Sequence, residues 1–198
     1  MNLPTAESVR ALHEKYAPTR ESLSLVRTHC EIVARIALDL AARSPEPVDT
    51  GLVETGALLH DIGVYRLGDD AYVRHGVLGH ELLRAEGLPE ELCRFASHHT
   101  GVGLTRADIE RQRLPIPPGE YVAGSVEERL VMYADKFHSK SSPPKFLDAA
   151  AYAGKVARFG PDKVVAFRAL VTEFGEPDLE PLIAEYGHRV RRGDVQRT

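Results

Sequence analysis

The chain has 198 residues, of which 43% are hydrophobic and 27% charged, and its net charge is -4. That composition belongs to a globular protein and excludes a disordered chain, a collagen-like chain and a disulfide-stapled miniprotein. No apolar run approaches the roughly 18 residues of a membrane span, so no membrane partner is expected, and the acidic balance gives no general reason to bind nucleic acid. Cys30 and Cys93 show no CxxC spacing, and the opening MNLPTAESVR lacks the basic-then-apolar layout of a secretory signal. Both features lead us to expect a cytoplasmic protein with reduced thiols.

The periodicity is helical along nearly the whole chain, and the expected class is all-α, a helical bundle in one domain spanning residues 1–198. From Glu21 to Ala42, Leu25, Val26, Ile32, Val33, Ile36 and Leu40 form the stripe of an amphipathic helix, with His29 in its middle. Two prolines in SPEPVD end it, and Asp49 offers an N-cap to a helix running to about His60. His60 lies four after Gly56 and faces inward; Asp61 follows it, and Gly63 is expected to close the helix in a left-handed C-cap. After the polar loop RLGDDAYVR, a helix from His75 to Glu86 carries His75 at the head of its apolar stripe. His80, which shares a face with Arg84, is placed at the rim. In the helix from Glu90 to His99, Leu92 and Phe95 lead to His99, whereas His98 stands on the polar side. Residues 100–124 predict one short helix capped by Thr105 with Asp108, then a proline-bearing loop suited to substrate selection. Ser125 and Glu128 predict a capping box before the helix Arg129–His138. Within it, Asp135 is a lone carboxylate in Leu-Val-Met-Tyr-Ala-Asp-Lys-Phe. Three more helices, over about 145–190, are expected to end near Gly160, Gly175 and Gly187. Their apolar faces (Val164, Phe167, Val171, Phe174) close the bundle or leave a homodimer contact. No strand alternation is evident.

Nine histidines are many for this length. Taken singly, each inward one has a plain reading. His29 can be a hydrogen-bonded core residue, His60 and Asp61 can cap a helix, and Asp135 can pair with Lys136 or Lys140. His13, His138 and His188 fit no pattern and are expected at the surface. Taken together, His29, His60, Asp61, His75, His99 and Asp135 occupy the apolar faces of separate helices. Burying so many polar groups costs several kcal/mol unless something binds them. Imidazole and carboxylate without thiolate suit divalent Fe, Mn, Co, Ni or Zn. Six ligands exceed what one ion with open positions needs and suit two ions sharing a carboxylate.

His29, then His60-Asp61 within Ala-Leu-Leu-His-Asp-Ile-Gly, then Asp135 in Tyr-Ala-Asp-Lys resemble the H…HD…D pattern of the HD superfamily of metal-dependent phosphohydrolases. His75-Gly-Val-Leu-Gly-His and His98-His99-Thr-Gly are similar to the two extra histidine positions of its dinuclear members. The likeness covers about residues 23–140 and is nearest to small HDIG proteins of archaea and bacteria; bacterial diadenosine-tetraphosphate hydrolases look more distant. The resemblance implies a bundle with its metal site in the core, His29, His60, Asp61 and Asp135 on one metal, and Asp61 bridging to a second held by His75 and His99. Val64 stands where many HDIG proteins have Lys, with Arg66 two residues on. The GYP signature of cyclic-di-GMP phosphodiesterases and the Glu-Asp pair of alarmone hydrolases are absent, which disfavours both activities.

The expected function is hydrolysis of a phosphate ester or anhydride of a small, nucleotide-like metabolite by metal-activated water. Besides Asp61, the catalytic candidates are His80 and His98 as acids and Arg66, Arg74, Lys136, Lys140 and Lys145 as cations for the developing charge. Two other readings are a di-iron oxygenase on the same scaffold and a non-catalytic nucleotide-binding regulatory domain.

Overall fold

The computed structural model describes residues 3–193. Its helices are α1 (Ala6–Tyr16), α2 (Arg20–Ala42), α3 (Thr50–Leu59), α4 (His75–Ala85), α5 (Glu90–His98), α6 (Arg106–Gln112), α7 (Val126–Ala134), α8 (Ala149–Val156), α9 (Pro161–Phe174) and α10 (Glu180–Tyr186). Four 3-10 turns interrupt them at Ile62–Arg66, Tyr72–Arg74, Asp135–Phe137 and Ala157–Phe159. The fold is all-α in class, with one small sheet.

Local chemistry accounts for most helix starts. Thr19, Asp49, Ser125 and Asp148 each accept a backbone N–H from the first turn of α2, α3, α7 and α8. Thr105 and Asp108 form a complete capping box on α6. The box expected at Ser125 is half made: Ser125 Oγ accepts the Glu128 N–H, but the Glu128 carboxylate turns to Arg94 Nε at 2.6 Å and Gly124 N–H at 2.6 Å. The three C-terminal helices end where expected, at Gly160, Gly175 and Gly187.

The buried stripe of α2 packs between α3 and α7, and α4 packs against α5 and the turn Ile62–Arg66. From α9, Phe167, Leu170 and Phe174 enter the same core as Tyr133 and Ile36, so the apolar C-terminal face is used inside this chain. Tyr133 O–H donates to the Gly175 carbonyl at 2.8 Å, tying α7 to the end of α9. Cys30 and Cys93 are free and buried.

Four expectations need correction. The helix expected over Arg129–His138 runs instead over Val126–Ala134, followed by the 3-10 turn Asp135–Phe137, so His138 lies outside it; ahead of α2, α1 is capped by Thr5 and anchored by Val9 and His13. His13 is buried, not superficial: its ring nitrogens meet Tyr65 Oη and the Leu58 carbonyl oxygen, each at 2.8 Å. Three strands form, β1 (His138–Ser139), β2 (Lys145–Leu147) and β3 (Arg189–Arg191). β1 and β2 are antiparallel and β3 joins β2 in parallel, with His138 opposite Phe146 and Phe146 opposite Val190. Strands of two or three residues are too short for alternation to register in a sequence.

Gly63 is the fourth correction. Its φ is not in the left-handed region, so it is no C-cap of that kind. A Cβ there would lie 2.0 Å from the His75 carbonyl oxygen and 2.3 Å from the Gly79 nitrogen. The glycine lets the backbone after Asp61 touch the backbone of α4. Replacing it with alanine forces two main chains apart, and we expect Gly63→Ala to cost about 3 kcal/mol, roughly 6–12 °C in Tm. Gly154, inside α8 with nothing within 4 Å of its Cβ position, is the control. Gly154→Ala should be stabilising by roughly 0.5–1 kcal/mol. Thermal melts of the two variants check this, and a Gly63→Ala protein as stable as the parent would refute the close-approach role.

Candidate metal centre

Five helices deliver the six residues, most of them from helix ends. His29 projects from the middle of α2. His60 is the C-cap of α3 and Asp61 follows it; His75 opens α4; His99 is the C-cap of α5; Asp135 is the C-cap of α7. His29, His60, Asp61, His75 and His99 are all at most 3% exposed. Two overlapping groups result, His29–His60–Asp61–Asp135 and Asp61–His75–His99, each with its ligand atoms within 4.8 Å of one another.

Asp61 belongs to both groups through different oxygens. Its Oδ2 lies 3.1 Å from His29 Nε2 and 3.4 Å from His60 Nε2. Its Oδ1 lies 3.5 Å from His75 Nε2 and 3.6 Å from His99 Nε2. Asp135 Oδ1 closes the first group, 3.0 Å from His29 Nε2 and 3.6 Å from His60 Nε2.

The outer edges of the rings decide what faces inward. Nδ1–H of His60 donates to the Ala57 carbonyl at 2.6 Å, that of His75 to Tyr72 at 2.6 Å and that of His99 to Phe95 at 2.9 Å. A carbonyl only accepts, so each Nδ1 carries the proton. Burial pulls His75 down to about 3 and lowers His99, so both are neutral and turn Nε2 lone pairs toward each other at 3.0 Å. Two facing lone pairs repel unless a cation lies on them. His60 Nε2 and Asp61 Oδ1 are buried with no hydrogen-bond partner. Converging acceptors, orphaned atoms and tautomers fixed from outside make a donor set that fits divalent transition-metal ions.

Charge follows the same layout. Burial raises the Asp61 carboxyl, but the Lys140 ammonium and the His60 ring outweigh it and hold the group well below the usual range. Lys140 Nζ sits directly on Asp61 Oδ2. Asp135 is likewise held well below its range, against burial, by Lys136. Lys136 Nζ donates to Asp135 Oδ2 at 2.7 Å and to the His99 carbonyl at 2.8 Å.

The centre forms the floor of a cavity of about 510 Å³. Its walls include Tyr72, the loop 100–104, Lys140, Lys155, Arg158 and Phe159. Lys136 lines it, but several other candidates do not. His80 bonds Ser97 Oγ at 2.9 Å and reaches Glu90 at 3.3 Å; His98 bonds the same Ser97 Oγ at 2.6 Å and packs near Tyr121. The polar side of α5 is covered by the segment around Tyr121, which buries His98 away from the cavity. Arg66 lies over the Tyr16 ring at 5.5 Å, and Arg74 pairs with Asp70 at 3.1 Å. Neither these two nor Lys145 lines the cavity.

His138 and His188, expected at the surface, are corrected too. His138 is 4% exposed and lines the cavity. Its Nδ1 is 2.8 Å from His29 Nδ1, and its Nε2 is 3.0 Å from His188 Nδ1. Helical spacing could not have found it, because the turn after α7 ends at Phe137 and His138 opens β1. Tyr72, Lys155, Arg158 and Phe159 were missed because each stands on a loop or a helix end with no apolar stripe to place it.

The HD domain family matches residues 26–140. The chain is 39% identical over 110 residues to MJ0778 of Methanocaldococcus jannaschii, covering 54% of this chain and 62% of that protein. It is 35% identical over 115 residues to a tRNA (cytidine(56)-2'-O)-methyltransferase of Picrophilus torridus, covering 58% of this chain and 32% of that enzyme. The chain thus spans less than two thirds of these relatives' length. In structure it is similar to the HD domain of the L. monocytogenes phosphodiesterase PgpH, with a TM-score of 0.51 at 14% identity, covering 90% of this chain and 98% of that one. The PgpH domain in complex with cyclic-di-AMP gives a TM-score of 0.50 at 13% identity, covering 92% of this chain and 99% of that one. With a family match over more than half its residues, centred on the buried histidines and aspartates, this chain belongs to the HD domain family.

Proposed function

We propose that the chain is a metal-dependent phosphohydrolase acting on a phosphate ester or anhydride of a small, nucleotide-like metabolite. One observation carries this reading: the two oxygens of Asp61 face two separate sets of imidazole acceptors at the floor of an open cavity. His29, His60, Asp61 and Asp135 would hold one divalent ion, and Asp61, His75 and His99 a second. Such ions supply electrostatic stabilisation of the phosphoryl charge and an activated water as nucleophile.

The chain's own residues do the rest. Lys136 orients Asp135 by bonding Oδ2, which leaves Oδ1 turned to His29 and His60. Lys140 keeps a positive charge beside Asp61 where a phosphate would approach the floor. Tyr72 is 55% exposed on the cavity wall and offers a ring face to a base. His138 is a positioning residue. For His29 to offer an Nε2 lone pair, its proton must sit on Nδ1 and be donated to His138 Nδ1. His138, which burial pulls down to about 2 and keeps neutral, then carries its own proton on Nε2 and donates to His188. PgpH, named as a phosphodiesterase and seen with cyclic-di-AMP, supports a nucleotide-like ligand. The methyltransferase relatives share only about a third of their length with this chain, so their name does not carry over to it.

Asp61→Ala should lose bound metal and phosphatase turnover while the helical fold survives; elemental analysis of protein purified without chelator, beside a phosphoester screen, checks this. Retention of both metal and turnover would refute the assignment. Oxygen-dependent turnover with a mixed-valence iron signal would redirect the reading to an oxygenase. His138→Ala should weaken metal affinity about 10–100-fold, read by competition with a chromophoric chelator. Metal uptake should also be proton-coupled. Burial pulls the His60 ring down, but the Asp61 carboxylate opposes it and the ring is raised well above its ordinary range, so without a metal a proton competes for the nitrogen that a metal would take. Affinity should therefore fall with acid, up to about tenfold per pH unit for each proton displaced; affinities measured between pH 8 and 6 that do not change would refute the coupling.

A further inference from the structure

The cavity walls carry more positive charge than the metal floor consumes. Among the described residues the lining cations are Lys136, Lys140, Lys155, Arg158 and Lys163, against the carboxylates of Asp61 and Asp135. Three of the five are committed: Lys136 to Asp135, Lys140 to Asp61, and Lys163 to Asp108 and to the Gly103 carbonyl at 3.1 Å. Lys155 and Arg158 have no carboxylate within salt-bridge distance among the described residues. They stand three positions apart, at the end of α8 and in the 3-10 turn after it, so they share one face. A helix dipole favours cations in a last turn. It gives no reason to crowd a lysine against others of its sign inside a concavity.

We propose that Lys155 and Arg158 bind a second phosphoryl group of the substrate, so that the cavity selects molecules carrying at least two phosphoryl groups, one over the metal floor and one on this wall. The inference deepens the phosphohydrolase reading and rests on it for the chemistry of the ligand. A volume of about 510 Å³ accommodates a molecule of nucleotide size. Lys155 and Arg158 are both exposed and so open to an anion in the cavity; partial desolvation lowers the Lys155 ammonium, Asp135 opposes this, and Lys136, Arg158 and Lys145 add to it. Arg158 lies 4.6 Å over the ring of Phe159, which is 42% exposed at the same wall and holds the guanidinium in place. The wall lies beyond residue 140, outside the segment matched by the family.

The test compares two non-hydrolysable probes by titration calorimetry on the metal-loaded full chain. Methylphosphonate offers one phosphoryl-like group and bis-methylene triphosphonate offers three. The Lys155→Ala/Arg158→Ala double variant should bind triphosphonate at least tenfold more weakly while its methylphosphonate affinity stays within twofold. Lys155→Arg should retain triphosphonate binding, and Arg168→Ala, which removes an exposed charge of α9 outside the cavity, should leave both probes unchanged. Equal weakening of both probes, or no weakening, would overturn the proposal. Because the readout is binding, a protein that turns over no phosphate compound yet loses triphosphonate through these two residues supports the subsite and sinks only the hydrolase reading.

Discussion

The Asp61 carboxylate has no solvent contact, and its two oxygens look at different pairs of imidazoles. A buried charge in that position is tolerable only when surrounded by compensating groups, here Lys140 and the imidazoles, or by a cation that all of them accept. The helices then have little freedom. α2 must present His29 from its middle, and α3, α5 and α7 must each end at the centre. The ends serve a second purpose. The last carbonyls of a helix lack intrahelical donors, and those of Ala57 and Phe95 take the Nδ1 protons of His60 and His99. Helix termination thus fixes the tautomers that turn the Nε2 atoms inward.

Bringing that many helix ends to one point requires backbones to touch. Gly63 against His75 and Gly79, Gly79 against Ala96, and Gly56 against the Phe95 ring are the places where a side chain would hold α3, α4 and α5 apart. The glycine of HDIG belongs to the same design as the aspartate before it. The aspartate belongs to both candidate ligand groups, and the glycine lets α4 come near enough to bring His75 to it.

The C-terminal helices perform a different task. α9 completes the core beside α7, and β3 pairs with β2 next to β1, which begins at His138. The same segment raises one wall of the cavity, with Lys155, Arg158 and Phe159 over the floor. Floor and wall come from different stretches of chain.

The helical class, the bounds of α2 to α5 to within a residue or two and the inward facing of six polar residues were legible in the amino-acid order, because caps, glycines and apolar stripes act within one or two turns. His29, His60, His75, His99 and Asp135 could each be assigned a face from their neighbours alone. What could not be read depends on contacts distant along the chain. His138 meets His29 across 109 positions, and Lys140 meets Asp61 across 79. His98 and His80 looked available on polar faces, yet Ser97, Glu90 and the Tyr121 segment claim them. Gly63 was correctly marked as special, but for the wrong reason, since a close approach between backbones leaves no local signature. Local periodicity determined which side of each helix faces in; only packing decided which inward groups meet, because no single helix carries information about the distance to another.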